Sequence, residues 1–124
     1  MKTKETKWEN IEGRFNLSGV QYSDYQLICV RLKAGTVVQF IGEPSNHFDN
    51  KAIRVQTKEG IKLGYVPSHT VQQSEIWNAR DNKQKCIGVI TAFNKSNPTW
   101  CMITVQAKKT RQPISKIPDE IKFA

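Results

Sequence analysis

Long hydrophobic runs are missing from this chain. No stretch is apolar for long enough to cross a bilayer, and the basic start Met1-Lys2-Thr3-Lys4-Glu5-Thr6-Lys7 is not followed by the apolar core of a secretory signal. A cytoplasmic protein without a membrane partner is expected. Cysteine is scarce: Cys29, Cys86 and Cys101 are odd in number and sit among apolar neighbours, as in Leu27-Ile28-Cys29-Val30, which suits buried reduced thiols rather than disulfides. The only histidines are His47 and His69, and no CxxC or HxxxH pair exists, so the spacing of a zinc site is absent and neither a metal nor another cofactor is expected. Catalytic constellations are lacking too. There is no Ser-His-Asp, Cys-His or Gly-rich phosphate arrangement, and Pro118-Asp119-Glu120-Ile121-Lys122 sets side by side groups that a nuclease draws from separate strands. The chain is not expected to be an enzyme.

Acidic residues are also in short supply, 11 against 19 Lys and Arg, for a net charge of +8. A surplus of this size creates a positive field that concentrates polyanions, so nucleic acid is the first partner to weigh, although solubility alone would also explain it. At 124 residues the chain holds one domain and one core, with no internal repeat.

Residues 1–12 are charged and without periodicity, and read as a flexible basic arm, with Trp8 able to tuck against the body. The alternation of Phe15 and Leu17 against Arg14, Asn16 and Ser18 predicts a first strand over 14–20. Tyr25, Ile28, Cys29 and Leu32 follow at helical spacing, with Gly35 as a stop. Thr36–Gly42 and Ala52–Thr57 read as strands two and three, and Ile61–Val66 as strand four after the tight turn Lys58-Glu59-Gly60. A helix is expected next, with Pro67 in its first turn, Ser68 as its cap and Val71, Ile76, Trp77 and Ala79 as its apolar stripe. Gln84–Phe93 and Trp100–Lys108 complete six strands, and a tail over 109–124 is expected to be loosely packed or disordered. The domain then occupies 13–108. Short strands with a helix between the fourth and fifth suggest a mainly β fold with one or two short helices, a six-stranded OB-like barrel. Phe15, Phe40, Trp77, Phe93 and Trp100 lie on apolar faces and are assigned to the core.

The segment Glu43-Pro44-Ser45-Asn46-His47-Phe48-Asp49-Asn50-Lys51-Ala52-Ile53-Arg54-Val55 joins two strands by a long loop. It gathers an aromatic, a carboxylate, an amide and basic residues where a rigid scaffold would present them. Read by composition alone, Asn46 and Asp49 are turn formers, because Asx side chains bond their own backbone. Read in order, an acidic residue and Pro, then Asn, an aromatic, Asp and Ala-Ile-x-Val, the segment resembles the signature of the HIRAN domain. Ser18-Gly19-Val20-Gln21-Tyr22 is similar to that family's opening strand and turn, Lys33–Phe40 to its Gly-started strand, and Leu63-Gly64-Tyr65-Val66-Pro67 to its closing motif.

The resemblance implies an OB-like barrel of the kind found in fork-remodelling DNA translocases and in free-standing prokaryotic or phage proteins, binding the 3′ end of single-stranded DNA in replication or repair. Carried over to this sequence, Asp49 would accept a hydrogen bond from the terminal 3′-hydroxyl, and Phe48 and Tyr22 would stack on the last bases. Asn46 would fix the loop or meet a base edge, and Tyr65 would line the pocket. Gln21, His47 and Lys51 complete the expected nucleic-acid-binding set. Gln21 stands where DNA-binding members carry Arg, and Phe48 where they carry Tyr, so one charged backbone contact is lost. Lys51, Arg54 and Lys62 are near enough in sequence to replace it. A protein-interaction module using the same groove, with a replication or repair protein as partner, and RNA binding stay open, since small barrels host many functions.

Overall fold

The computed structural model describes residues 8–19, 32–94 and 102–111. Among these residues, seven strands and one helix run in the order β1 (Trp8–Asn10), β2 (Phe15–Asn16), β3 (Val37–Glu43), β4 (Ala52–Gln56), β5 (Lys62–Tyr65), α1 (Val71–Asp81), β6 (Cys86–Asn94) and β7 (Met102–Thr110). The sheet is antiparallel throughout, in the order β1-β7-β6-β3-β4-β5, with β2 also paired to β7.

Two hydrogen bonds draw the ends of this sheet together. The Ser18 N–H donates to the Tyr65 carbonyl at 2.9 Å, and the Tyr65 N–H returns to the Ser18 carbonyl at 2.8 Å. Because Leu17 is bonded to Ile103 of β7, the circuit β7-β6-β3-β4-β5 returns through residues 15–18 to β7. The result is a curled, mainly β half-barrel of the OB-like kind, as the strand pattern led us to expect.

Alternation makes the core. Phe15 and Leu17 are buried between exposed Arg14, Asn16 and Ser18, and Ile103, Val105 and Ala107 alternate inward along β7. Val38, Val55, Leu63, Val66 and Ile90 fill the centre, with Ile76 and Trp77 of α1 closing one end. Gly88 is required where it stands, since a Cβ there would lie 2.8 Å from Phe40, Val105 and Val38 at once. The 58–60 turn forms as read, with Gly60 at φ +95° and its N–H bonded to Thr57.

Several expectations are corrected. Trp8–Asn10 is a strand and Ile11 is buried, so from Trp8 onward the arm gives way to the sheet, because β7 runs on to Thr110 and offers it a pairing edge. The first strand is shorter than 14–20, comprising β2 and the single bridge at Ser18. The helix does not begin at Pro67-Ser68: His69 has φ +64°, a left-handed turn that separates Ser68 from α1. Thr70 caps the helix instead, its hydroxyl oxygen accepting from the Gln73 N–H at 3.2 Å. Val71 is exposed rather than part of the buried stripe. Gln73, Ile76 and Trp77, at i, i+3 and i+4, form the inward face. Leu32, the last residue of the helix expected from Tyr25, is buried but not helical, while Tyr25, Ile28, Cys29, Cys101, Trp100, the Phe93 side chain and the tail beyond Arg111 lie outside the described residues.

Candidate nucleic-acid interface

The loop between β3 and β4 is held by its own side chains. Asn46 Oδ1 accepts from the N–H groups of Phe48 at 2.8 Å and Asp49 at 3.1 Å, while its amide donates to Glu43 Oε1 at 3.0 Å. Asp49 Oδ1 accepts from the Lys51 N–H at 2.9 Å, and its carbonyl from the Ala52 N–H. These are the Asx turns anticipated from composition. The second Asp49 oxygen reaches across the fold: Oδ2 accepts from the Ser68 hydroxyl at 2.6 Å and from the Gln73 amide at 2.8 Å. Gln73 also donates to the Lys51 carbonyl at 2.9 Å, as does the Trp77 indole N–H. The loop is therefore fastened to the buried face of α1.

Those donors favour the ionised carboxylate. The Ser68 hydroxyl first, then the Gln73 amide and the Lys51 N–H, hold Asp49 below its ordinary value of 3.8. Oδ2 has both lone pairs engaged, whereas Oδ1 has spent one and can accept a further hydrogen bond. Glu43 is a second junction. Its Oε1 takes the Tyr65 hydroxyl at 3.0 Å and the Asn46 amide, and its Oε2 lies 3.6 Å from Arg54.

A groove of about 450 Å³ opens beside this loop, lined by Ser18, Gly19, Asn46, Phe48, Asp49, Ala52, Lys62, Tyr65, Val66 and Ser68. That volume lies within the range of ligand clefts. Phe48 stands at its lip with 99% of its surface exposed, while the backbone beneath it is fixed by Asn46.

The sequence-derived residues thus divide. Asn46, Phe48, Asp49 and Tyr65 come together in the groove. His47 is exposed and does not line it. Lys51 does not line it either, and its ammonium lies 5.4 Å from the centre of the Trp77 ring. Gln21 and Tyr22 are outside the described residues. Sequence reasoning gave Glu43 and Gln73 no role, and took Ser68 for a cap. The available signals were an acidic residue directly before a loop proline and a glutamine at a core-facing helix position. Among the described residues, no group of three or more His, Cys, Asp or Glu side chains is placed to hold a metal ion. No helix among them is long and apolar enough to cross a membrane.

A curled sheet, one helix across its end and a groove presenting an aromatic and a fixed carboxylate define a small OB-like binding domain. The chain belongs to the HIRAN domain family, a family known as a DNA-binding module, whose model matches residues 12–105. Two solved structures share the fold. A crystal structure of a protein from Lactobacillus plantarum is 20% identical with a TM-score of 0.70, over 86% of this chain and 98% of that one. The crystal structure of the HIRAN domain of human HLTF is 18% identical with a TM-score of 0.59, over 90% and 91%. No curated protein matches the chain in sequence.

Proposed function

We propose that this protein binds the 3′ end of single-stranded DNA in the groove, as a non-catalytic module serving replication or repair in the cytoplasm. Phe48 is the observation that carries the reading. An aromatic ring held almost wholly in water on a fixed backbone gives up the gain of burial, and a base stacked on it recovers that gain without regard to sequence. Beside it, the free acceptor site on Asp49 Oδ1 suits a terminal hydroxyl, a donor that only a chain end carries. Tyr22 would supply a second stacking surface. Gln21 would contribute hydrogen bonds without charge.

Fluorescence anisotropy with single-stranded DNA bearing a free 3′-hydroxyl, the same strand with a 3′-phosphate, a circular strand and an RNA strand tests this. Tightest binding to the free 3′-hydroxyl DNA, lost in Phe48→Ala and made indifferent to the end group in Asp49→Asn, is expected. Equal binding to all strands would remove the end-reading role, and binding of none would remove the nucleic-acid reading. One observation favours a second reading: the described lining holds a single cation, Lys62, and a single carboxylate, Asp49, beside Phe48, Ala52 and Val66. A near-neutral groove of this kind would also take a peptide of a replication or repair protein, with affinity that salt barely changes.

A further inference from the structure

The three basic residues nearest the loop face three different ways. Lys51 reaches back to Trp77, and Arg54 lies 3.6 Å from Glu43 Oε2. Neither lines the groove. Lys62 does. Its ammonium lies 4.6 Å from the centre of the Tyr65 ring, and it has no ion pair among the described residues. An ammonium above an aromatic face is attracted by the ring and keeps its N–H donors for other acceptors. Asp49, the one carboxylate of the lining, keeps its charge but is turned through Oδ2 to Ser68 and Gln73 and makes no ion pair with Lys62, so the ammonium is left to meet an incoming anion.

We infer that Lys62 is the phosphate anchor of the groove: its ammonium, positioned by the Tyr65 ring, takes one backbone phosphate of a strand whose base stacks on Phe48. The inference rests on the nucleic-acid reading above and deepens it. One anchor makes one counterion-releasing contact, and for a single strand each such contact changes the slope of log K against log salt by about 0.7. Arg54, held by Glu43, and Lys51, turned to the helix, contribute no comparable share.

The test is a salt titration of a fluorescent single-stranded oligothymidine against wild type, Lys62→Met and Lys58→Met. Lys58 is an exposed turn residue of the same hairpin, outside the groove, and controls for net charge. The expected result is a slope shallower by about 0.7 in Lys62→Met alone, with its affinity converging on wild type at high salt. In parallel, oligonucleotides with one neutral methylphosphonate linkage at each position in turn are bound to both proteins. One position should weaken wild type and leave Lys62→Met unchanged. Parallel salt slopes, or no linkage that is silent in the variant, would overturn the anchor while leaving DNA binding intact. A wild-type protein that binds no strand would overturn both readings. The linkage scan on wild type also stands alone: several equally costly positions would overturn the single anchor even if the variant failed to fold.

Discussion

The two ends of the sheet are held by different means. At the groove, residues close in sequence are fastened to one another and to α1 by hydrogen bonds on Asn46, Asp49 and Glu43, and the most exposed large apolar side chain among the described residues projects from the result. At the far end, where β1 meets β7, contacts join residues distant in sequence. Thr110 takes the Lys85 N–H on its hydroxyl and the Gln84 amide on its carbonyl, and Lys109 sits between Glu9 at 3.9 Å and Glu75 at 3.5 Å. The far end is pairing and surface charge around a buried seam. The groove end commits a carboxylate to fixing a loop whose aromatic is left in water, so the ring itself adds nothing to stability by burial.

Substitutions break this comparison in a graded way. The largest effect is expected at Trp77, which packs against Gly42 and bonds the loop at Lys51: Trp77→Ala should cost about 3–5 kcal/mol in urea unfolding and loosen the groove with the core. Phe48→Ala separates binding from stability. Its stability should stay within about 0.5 kcal/mol of wild type, since the ring is in water, while single-strand affinity should fall by about 1–3 kcal/mol in anisotropy titrations.

Asp49 gives a pH signature. Its carboxyl is lowered on folding, so its contribution is present above the ordinary value of 3.8 and is lost as pH falls through the lower folded value. Thermal melts of wild type should therefore lose stability below about pH 4, and Asp49→Asn should show a flatter acid limb from a lower plateau. The smallest effect is expected at the far end. Glu9→Gln with Glu75→Gln removes both partners of Lys109, and because these carboxylates are partly exposed the change should be about 0–1 kcal/mol and should shrink with salt. A large loss there would mean that the ion pairs, rather than the β1–β7 pairing, hold that edge.

The same contrast explains what the sequence revealed. The hairpin at Gly60, the alternation of Phe15 and Leu17, the β-rich runs of β4 and β7 and the turn-forming roles of Asn46 and Asp49 are local properties, written in side-chain type and spacing and in residues that bond their own backbone. Tertiary pairing was not legible. Trp8–Asn10 carries no strand signal of its own and becomes one because β7 offers an edge, and Ser68 satisfies any rule for a helix cap until the left-handed turn at His69 gives it to Asp49 instead. The groove was legible in part for the same reason. Phe48, Asp49 and Tyr65 sit in ordered motifs, whereas the distinct orientations of Lys51, Arg54 and Lys62 depend on Trp77, Glu43 and Tyr65, residues that meet them only in the folded chain.

The fastening of Asp49 to Ser68 and Gln73 also couples the groove to the start of α1. Any occupant that favours this arrangement of the loop also favours the first helical turn, by the coupling free energy that the Asp49 bonds carry, and an ordered turn favours the occupant by that same coupling. Backbone amides of residues 73–77 should therefore exchange with deuterium more slowly when the groove is filled, although none of them lines it. Occupancy would be written in the protection of a helix that the ligand never touches.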